Sequence, residues 1–336
     1  MSVGGTYRPA VGVIGAGRKG IALAEHAARQ GHDVYLFTNE GRRAASLKRY
    51  RKLKTLVPEI AELSPKVVVT TDLGELAARC TLVVLTASRD SFEPTLDAIG
   101  EALDGSHQVV HAVHRLFGPE LHRVSELLRS RTAIKQVGAV AGPLHVSELL
   151  AGLPNAVVVG SSFPALIDAV RAALETDAVR VHPNSDNRGV EFAAALGQVV
   201  TFAVGMADGL GLGAAMHATV LTRGLLEITS IGKALGARRR TAYGLAGVGR
   251  VVDALRRGEP NYQLGYEVAG LDDVARLREL ASPDAMCVDV IDQVARYVEY
   301  HRVHLPLCDA LKRVLEGHED PTEALLRAVR DDPDVD

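Results

Sequence analysis

Short apolar runs recur through the first half of the chain, each bounded by glycine, proline or charged residues. Ala10–Ile14, His32–Phe37, Lys66–Thr70, Leu82–Thr86, Gln108–Ala112, Gln136–Ala141, Ala156–Gly160 and Val179–His182 read as strands. The stretches between them carry helical patterns, such as IALAEHAARQG after the first run. Alternating strands and helices predict a parallel, doubly wound sheet with ligands at the carboxyl ends of its strands. After Pro183-Asn184-Ser185-Asp186 the strand signals stop, and helical periodicity continues almost to the end.

The second half is organised around Asn187 to Gly224. Asn187 is a residue type that caps helices. Some twenty residues follow that are apolar on almost every face, interrupted by Glu191, Gln198 and Thr201. An all-round apolar helix is a buried helix. The glycines of Asp208–Gly213 break it, and a second helical run follows through Thr222-Arg223-Gly224. An acid near each end argues against a membrane span.

Candidate chemistry begins directly after the first strand, at Gly15-Ala16-Gly17-Arg18-Lys19-Gly20. A strand, a GxGxxG turn, a helix and a second strand within about 30 residues form the dinucleotide-binding arrangement. Gly15 permits the tight turn, Gly17 lets backbone approach a pyrophosphate, and Gly20 lets helix pack on strand. The N–H groups at the helix start then hold the anion. Arg18 and Lys19 add positive charge there. The second strand ends in Thr38-Asn39-Glu40 with no acid at its tip, and Arg42 and Arg43 follow. That pattern favours NADP over NAD. Most of the seven basic residues from Arg42 to Lys54 read as a solvated helix face. Ser88 and Ala141 complete the cofactor-binding set.

The expected fold class is α/β, an N-terminal Rossmann-type doubly wound sheet (8–185) plus a C-terminal all-α domain (186–330). An acidic tail, Asp331 to Asp336, is expected to fray. A length of 336 residues suits two domains, and 47% apolar with 24% charged residues is an ordinary globular balance. A net charge of −3, no Trp and 4% aromatics argue against a nucleic-acid partner. Cys80, Cys287 and Cys308 lack metal-ligand spacing, so neither a metal site nor a disulfide framework is expected. The opening MSVGGTYRP lacks a charged-then-apolar leader, which fits a cytoplasmic protein.

Several stretches resemble the NAD(P)-dependent glycerol-3-phosphate dehydrogenase family: the GxGxxG turn, Ala141–Ser161 (AGPLHVSELLAGLPNAVVVGS), Gly189-Val190-Glu191, Asp208-Gly209-Leu210-Gly211, Thr222-Arg223-Gly224 and Tyr243–Arg250 (YGLAGVGR). The resemblance covers most of the chain in order. It implies hydride transfer between a nicotinamide and the carbonyl of dihydroxyacetone phosphate. It also implies lysines, an aspartate and a phosphate clamp, and those positions differ here. The first lysine falls at His114, with Arg115 in place of glycine. The helix sequence ALKN reads Ala195-Leu196-Gly197-Gln198, and the aspartate of LAGxGD falls at Arg250. The asparagine and arginine before Thr-Arg-Gly fall at Ala215 and His217. SRNRR shrinks to Glu259-Pro260-Asn261-Tyr262-Gln263, and a glutamate falls at Met286. Glu191 and Asp208 match and read as structural supports.

Ketone reduction needs a proton donor at the forming alkoxide, which contributes about 10²–10⁴ in rate. His114, His217 and Arg250 are the catalytic candidates, with His145, Gly197, Gln198 and Arg223 lining the substrate cleft. An imidazole relays protons near neutral pH, and an arginine binds a carboxylate. The leading expectation is therefore an NAD(P)H-dependent oxidoreductase acting on a small carbonyl or imine other than dihydroxyacetone phosphate, as a homodimer with no membrane partner. The alternatives are the family's own reaction run by a rearranged site, and a nucleotide-binding protein without catalysis.

Overall fold

The computed structural model describes residues 8–52, 56–271, 274–282 and 285–331. Lys54 and residues 332–336 of the expected frayed tail lie outside the described residues. Eight strands form one sheet: β1 (Val11–Ile14), β2 (Val34–Phe37), β3 (Val67–Thr70), β4 (Leu82–Leu85), β5 (Gln108–His111), β6 (Gln136–Ala141), β7 (Asn155–Gly160) and β8 (Val179–Asn184). Their order is β8-β7-β6-β5-β4-β1-β2-β3. β1 pairs in parallel with β2 and β4, β2 with β3, β4 with β5, β5 with β6, and β7 with β8. β1 and β4 are buried at every position, as strands covered on both faces must be, which is why they read as unbroken apolar runs. β8 runs two residues past its expected end, through Pro183 to Asn184. It stands at the sheet edge, where a missing N–H breaks no ladder.

The chain divides into two compact units. One comprises residues up to Val113, Ser125–Val140 and Leu144–Ser185; the other comprises His114–Val124, Ala141–Pro143 and everything from Asp186. The second unit thus takes in two segments from the middle of the α/β half. One of them carries a two-residue antiparallel ladder, Leu116–Phe117 with His122–Arg123.

In the helical unit, α2 (Asn187–Gly209) is buried along nearly its whole length. Its cap is Asp186, one residue before the expected Asn187, and the Asp186 carboxylate accepts the Gly189 N–H at 2.9 Å. Asn187 instead donates its side-chain amide to Glu191 at 3.0 Å. The second run, α3 (Gly213–Ala234), extends ten residues beyond Gly224. Helix α4 (Pro260–Glu267) lies so close to α2 that a Cβ on Gly205 would sit 2.2 Å from the Tyr262 carbonyl oxygen. One on Gly265 would sit 2.0 Å from that of Phe202. Only glycine permits two helix backbones to approach this far.

Glu227 of α3 is buried and caps α5 (Pro306–Leu315), accepting the N–H groups of Leu307 and Cys308 at 2.5 and 3.1 Å. Burial pushes its carboxyl up from 4.5 to about 7, against those bonds. A raised carboxyl means the folded state holds the proton more tightly than the unfolded state. The resulting stability is complete below pH 4.5 and is lost as pH rises to about 7. Between pH 5 and 8, urea unfolding should show the wild type losing about 2–3 kcal/mol relative to Glu227→Gln. Parallel pH profiles for the two proteins would remove this assignment.

Candidate functional site

In the α/β unit the site is the turn between β1 and α1 (Arg18–Arg29). Gly15 adopts φ +111°, which L side chains rarely reach. A Cβ on Gly20 would stand 1.8 Å from the Gly15 carbonyl oxygen, so the turn closes only with glycine there. Thr86 follows β4 and donates its hydroxyl to the carbonyls of Ile14 and Gly15, at 3.1 and 3.0 Å. The sequence reading missed this clamp. The signal was available, since strand order in this fold sets the residue after β4 beside the first turn. Gly17 opens α1 at φ −78°, ψ 177°. A Cβ there would meet nothing within 4 Å. No acid stands in the first turn of α1. An open cradle, bare backbone and the positive end of a helix fit a pyrophosphate.

The neighbouring candidates sort by what already holds them. Arg18 is held by Glu59 at 2.5 Å and by the Leu56 carbonyl at 2.9 Å, so its charge is already paired. Lys19 follows it in the first turn of α1. Thr38 is buried, and its hydroxyl oxygen accepts the Glu40 N–H at 3.2 Å. Arg43 pairs with Glu40 at 3.0 Å and donates to the Ala16 carbonyl at 3.2 Å, bracing the turn itself. Arg42 is exposed and has no hydrogen bond or ion pair among the described residues. The Ser88 and Ser91 hydroxyls bond each other at 2.9 Å. Ala141 ends β6 and counts with the helical unit. His145 lies in the α/β unit, where its ring nitrogen meets the Ser147 hydroxyl at 2.8 Å.

In the helical unit the structure gathers some candidates and separates others. Gln198 of α2 donates its amide to the His114 carbonyl at 2.7 Å. A Cβ on its neighbour Gly197 would stand 3.0 Å from Val251 Cγ2, so the segment carrying Arg250 packs on this turn of α2. Arg223 precedes Gly224, whose Cα faces Val200. His114, Gly197, Gln198 and Arg250 therefore belong to one neighbourhood. His217 does not: its Nδ1 contacts both Asp208 oxygens at 2.9 and 3.0 Å. Asp208 lies ten residues beyond Gln198, about 15 Å along the helix axis. Tyr262 also donates to Asp208, at 2.6 Å. Among the described residues no group of three or more His, Cys, Asp or Glu could hold a metal ion.

Two family models match the chain: the NAD-dependent glycerol-3-phosphate dehydrogenase N-terminus over residues 10–166, and its C-terminus over 186–326. The glycerol-3-phosphate dehydrogenase [NAD(P)+] of Deinococcus radiodurans is 33% identical, covering 95% of this chain and 94% of that protein. That of Rhodospirillum rubrum is 30% identical, covering 94% and 90%. Among solved structures, glycerol-3-phosphate dehydrogenase from Coxiella burnetii superposes with a TM-score of 0.90 at 22% identity, covering 96% of this chain and 99% of that one.

Proposed function

The chain belongs to the NAD-dependent glycerol-3-phosphate dehydrogenase family, and on that premise we propose that it interconverts glycerol 3-phosphate and dihydroxyacetone phosphate. It is an NAD(P)-dependent oxidoreductase acting on CH–OH. The observation that carries the substrate is the extent of the likeness, 33% identity over 95% of the chain to a relative named for that reaction. This likeness favours the family's substrate pair over the other carbonyl or imine expected from the exchanged residues.

The backbone of Gly15, Ala16 and Gly17 and the first amides of α1 would hold the dinucleotide, which supplies or accepts the hydride. Arg42, with no acidic partner among the described residues, favours the 2′-phosphate of NADP. His114 is the proposed proton donor, its backbone held by Gln198. His217, tied to Asp208 farther along α2, is left as a support.

The test is nicotinamide oxidation by the full chain with dihydroxyacetone phosphate. Turnover is expected, faster with NADPH than with NADH. His114→Ala should lower kcat by about 10² with cofactor affinity unchanged. No oxidation above the buffer blank would sink the substrate assignment.

A second reading, a small ketone or imine without a phosphate, is favoured by one observation: the α2 positions Gly197 and Gln198 present no cation. Turnover on a panel of such compounds, and none on the triose phosphate, would select it. Cofactor binding with no turnover on either would select a non-catalytic role. A cytoplasmic homodimer goes with all three readings, and sedimentation of the purified chain checks the dimer.

A further inference from the structure

Arg250 follows a single π-helical turn, Leu245–Gly249. Such turns are rare and concentrate at functional sites. Its side chain is half-buried, and burial pushes the guanidinium pKa down. Two carboxylates, Glu259 and Asp253, lie near enough to act on it electrostatically. Both are engaged elsewhere. Asp253 pairs with Arg256 at 3.0 Å. Glu259 accepts the Tyr262 N–H at 2.9 Å and the Asn261 amide at 3.0 Å. No hydrogen bond or ion pair reaches Arg250 among the described residues. Desolvating a guanidinium is costly without an oxyanion partner. A planar fork of N–H donors is the side chain best shaped to supply two parallel bonds to such a group. The same segment packs at Gly197, where α2 carries no side chain.

We propose that Arg250 binds the oxyanion of the substrate and thereby sets the substrate class: a phosphate monoester or a carboxylate on a small hydroxy or keto compound. This rests on the proposed dehydrogenase activity but is tested apart from it. Binding of glycerol 3-phosphate, glycerate and glycerol to the NADPH-loaded full chain is read by quenching of nicotinamide fluorescence, with no turnover required.

Wild type should bind one of the two anions more tightly than glycerol. Arg250→Gln should weaken that anion by about 10- to 100-fold, and Arg250→Lys should restore part of the loss. Glycerol and cofactor affinities should stay within about twofold. Which anion responds identifies the source, phosphate or carboxylate. Unfolding curves, with Arg250→Met as a further variant, confirm that the proteins compared are folded. Anion affinity unmoved in every folded variant overturns the proposal. Absence of turnover with an Arg250-dependent anion affinity would overturn the proposed reaction instead and leave this site standing.

Discussion

Gly17→Val is expected to weaken nicotinamide dinucleotide binding by about 100-fold, equivalent to about 3 kcal/mol, while costing less than about 1 kcal/mol of stability. Two features separate the effects. The backbone at Gly17 is ordinary extended geometry, φ −78° and ψ 177°, which valine adopts without strain. Its Cβ would meet no protein atom within 4 Å, so the isopropyl group stands in the open space before α1 and fills the proposed pyrophosphate position. Gly20 is the instructive contrast. Its added Cβ would lie 1.8 Å from the Gly15 carbonyl oxygen, so Gly20→Ala should disrupt the turn itself. Fluorescence titration and thermal unfolding of both variants read the two effects independently. Undiminished affinity in Gly17→Val would remove the turn from the cofactor site.

Arg123→Met should destabilise the protein by about 3–5 kcal/mol. Arg123 and Glu191 meet at 3.0 Å with side chains only 6% and 3% exposed. Asn187 donates to the same carboxylate oxygen of Glu191, and the guanidinium lies 5.9 Å over the Phe192 ring. Removing the arginine takes this cation from a buried carboxylate whose hydration was already given up, and the Asn187 amide carries no charge to replace it. The pair itself need not be favourable, because two desolvated ions recover only part of what burial costs. Arg123→Met with Glu191→Met should therefore regain most of the lost stability. Urea unfolding of the single and double variants measures both terms. A single variant within about 1 kcal/mol of wild type would show that water reaches the pair. Glu191 lies in one of the stretches whose sequence resembles the family, and this pairing gives it a structural role.

The candidate site was legible where its chemistry is local. Gly15, Gly17 and Gly20 lie within six residues, and each answers a constraint of the same turn. Thr86 escaped notice because its hydroxyl reaches Ile14 from 72 residues away. Arg18 and Arg43 looked alike as cations near a phosphate. Only their distances to Glu59 and Glu40 show that both charges are already paired. The histidines looked equivalent along the chain, yet His114 sits against Gln198 while His217 is held at the far end of the same helix.

Local pattern fixed the elements: strands covered on both faces show as unbroken apolar runs, helices as 3.6-residue repeats or all-round apolar stretches, and the turn as glycine spacing, each within a short window. The eight strands, the glycine turn, the buried α2 and the change of pattern near Asp186 follow from that alone. Tertiary structure decided what depends on distant partners. It assigned His114–Val124 to the helical unit, joined Arg123 to Glu191, let α4 close onto Gly205, and left Arg250 near Glu259 and Asp253 but bonded to neither among the described residues. Those outcomes arise from side chains tens of residues apart meeting across packed elements, and such pairings leave no periodic trace along the chain.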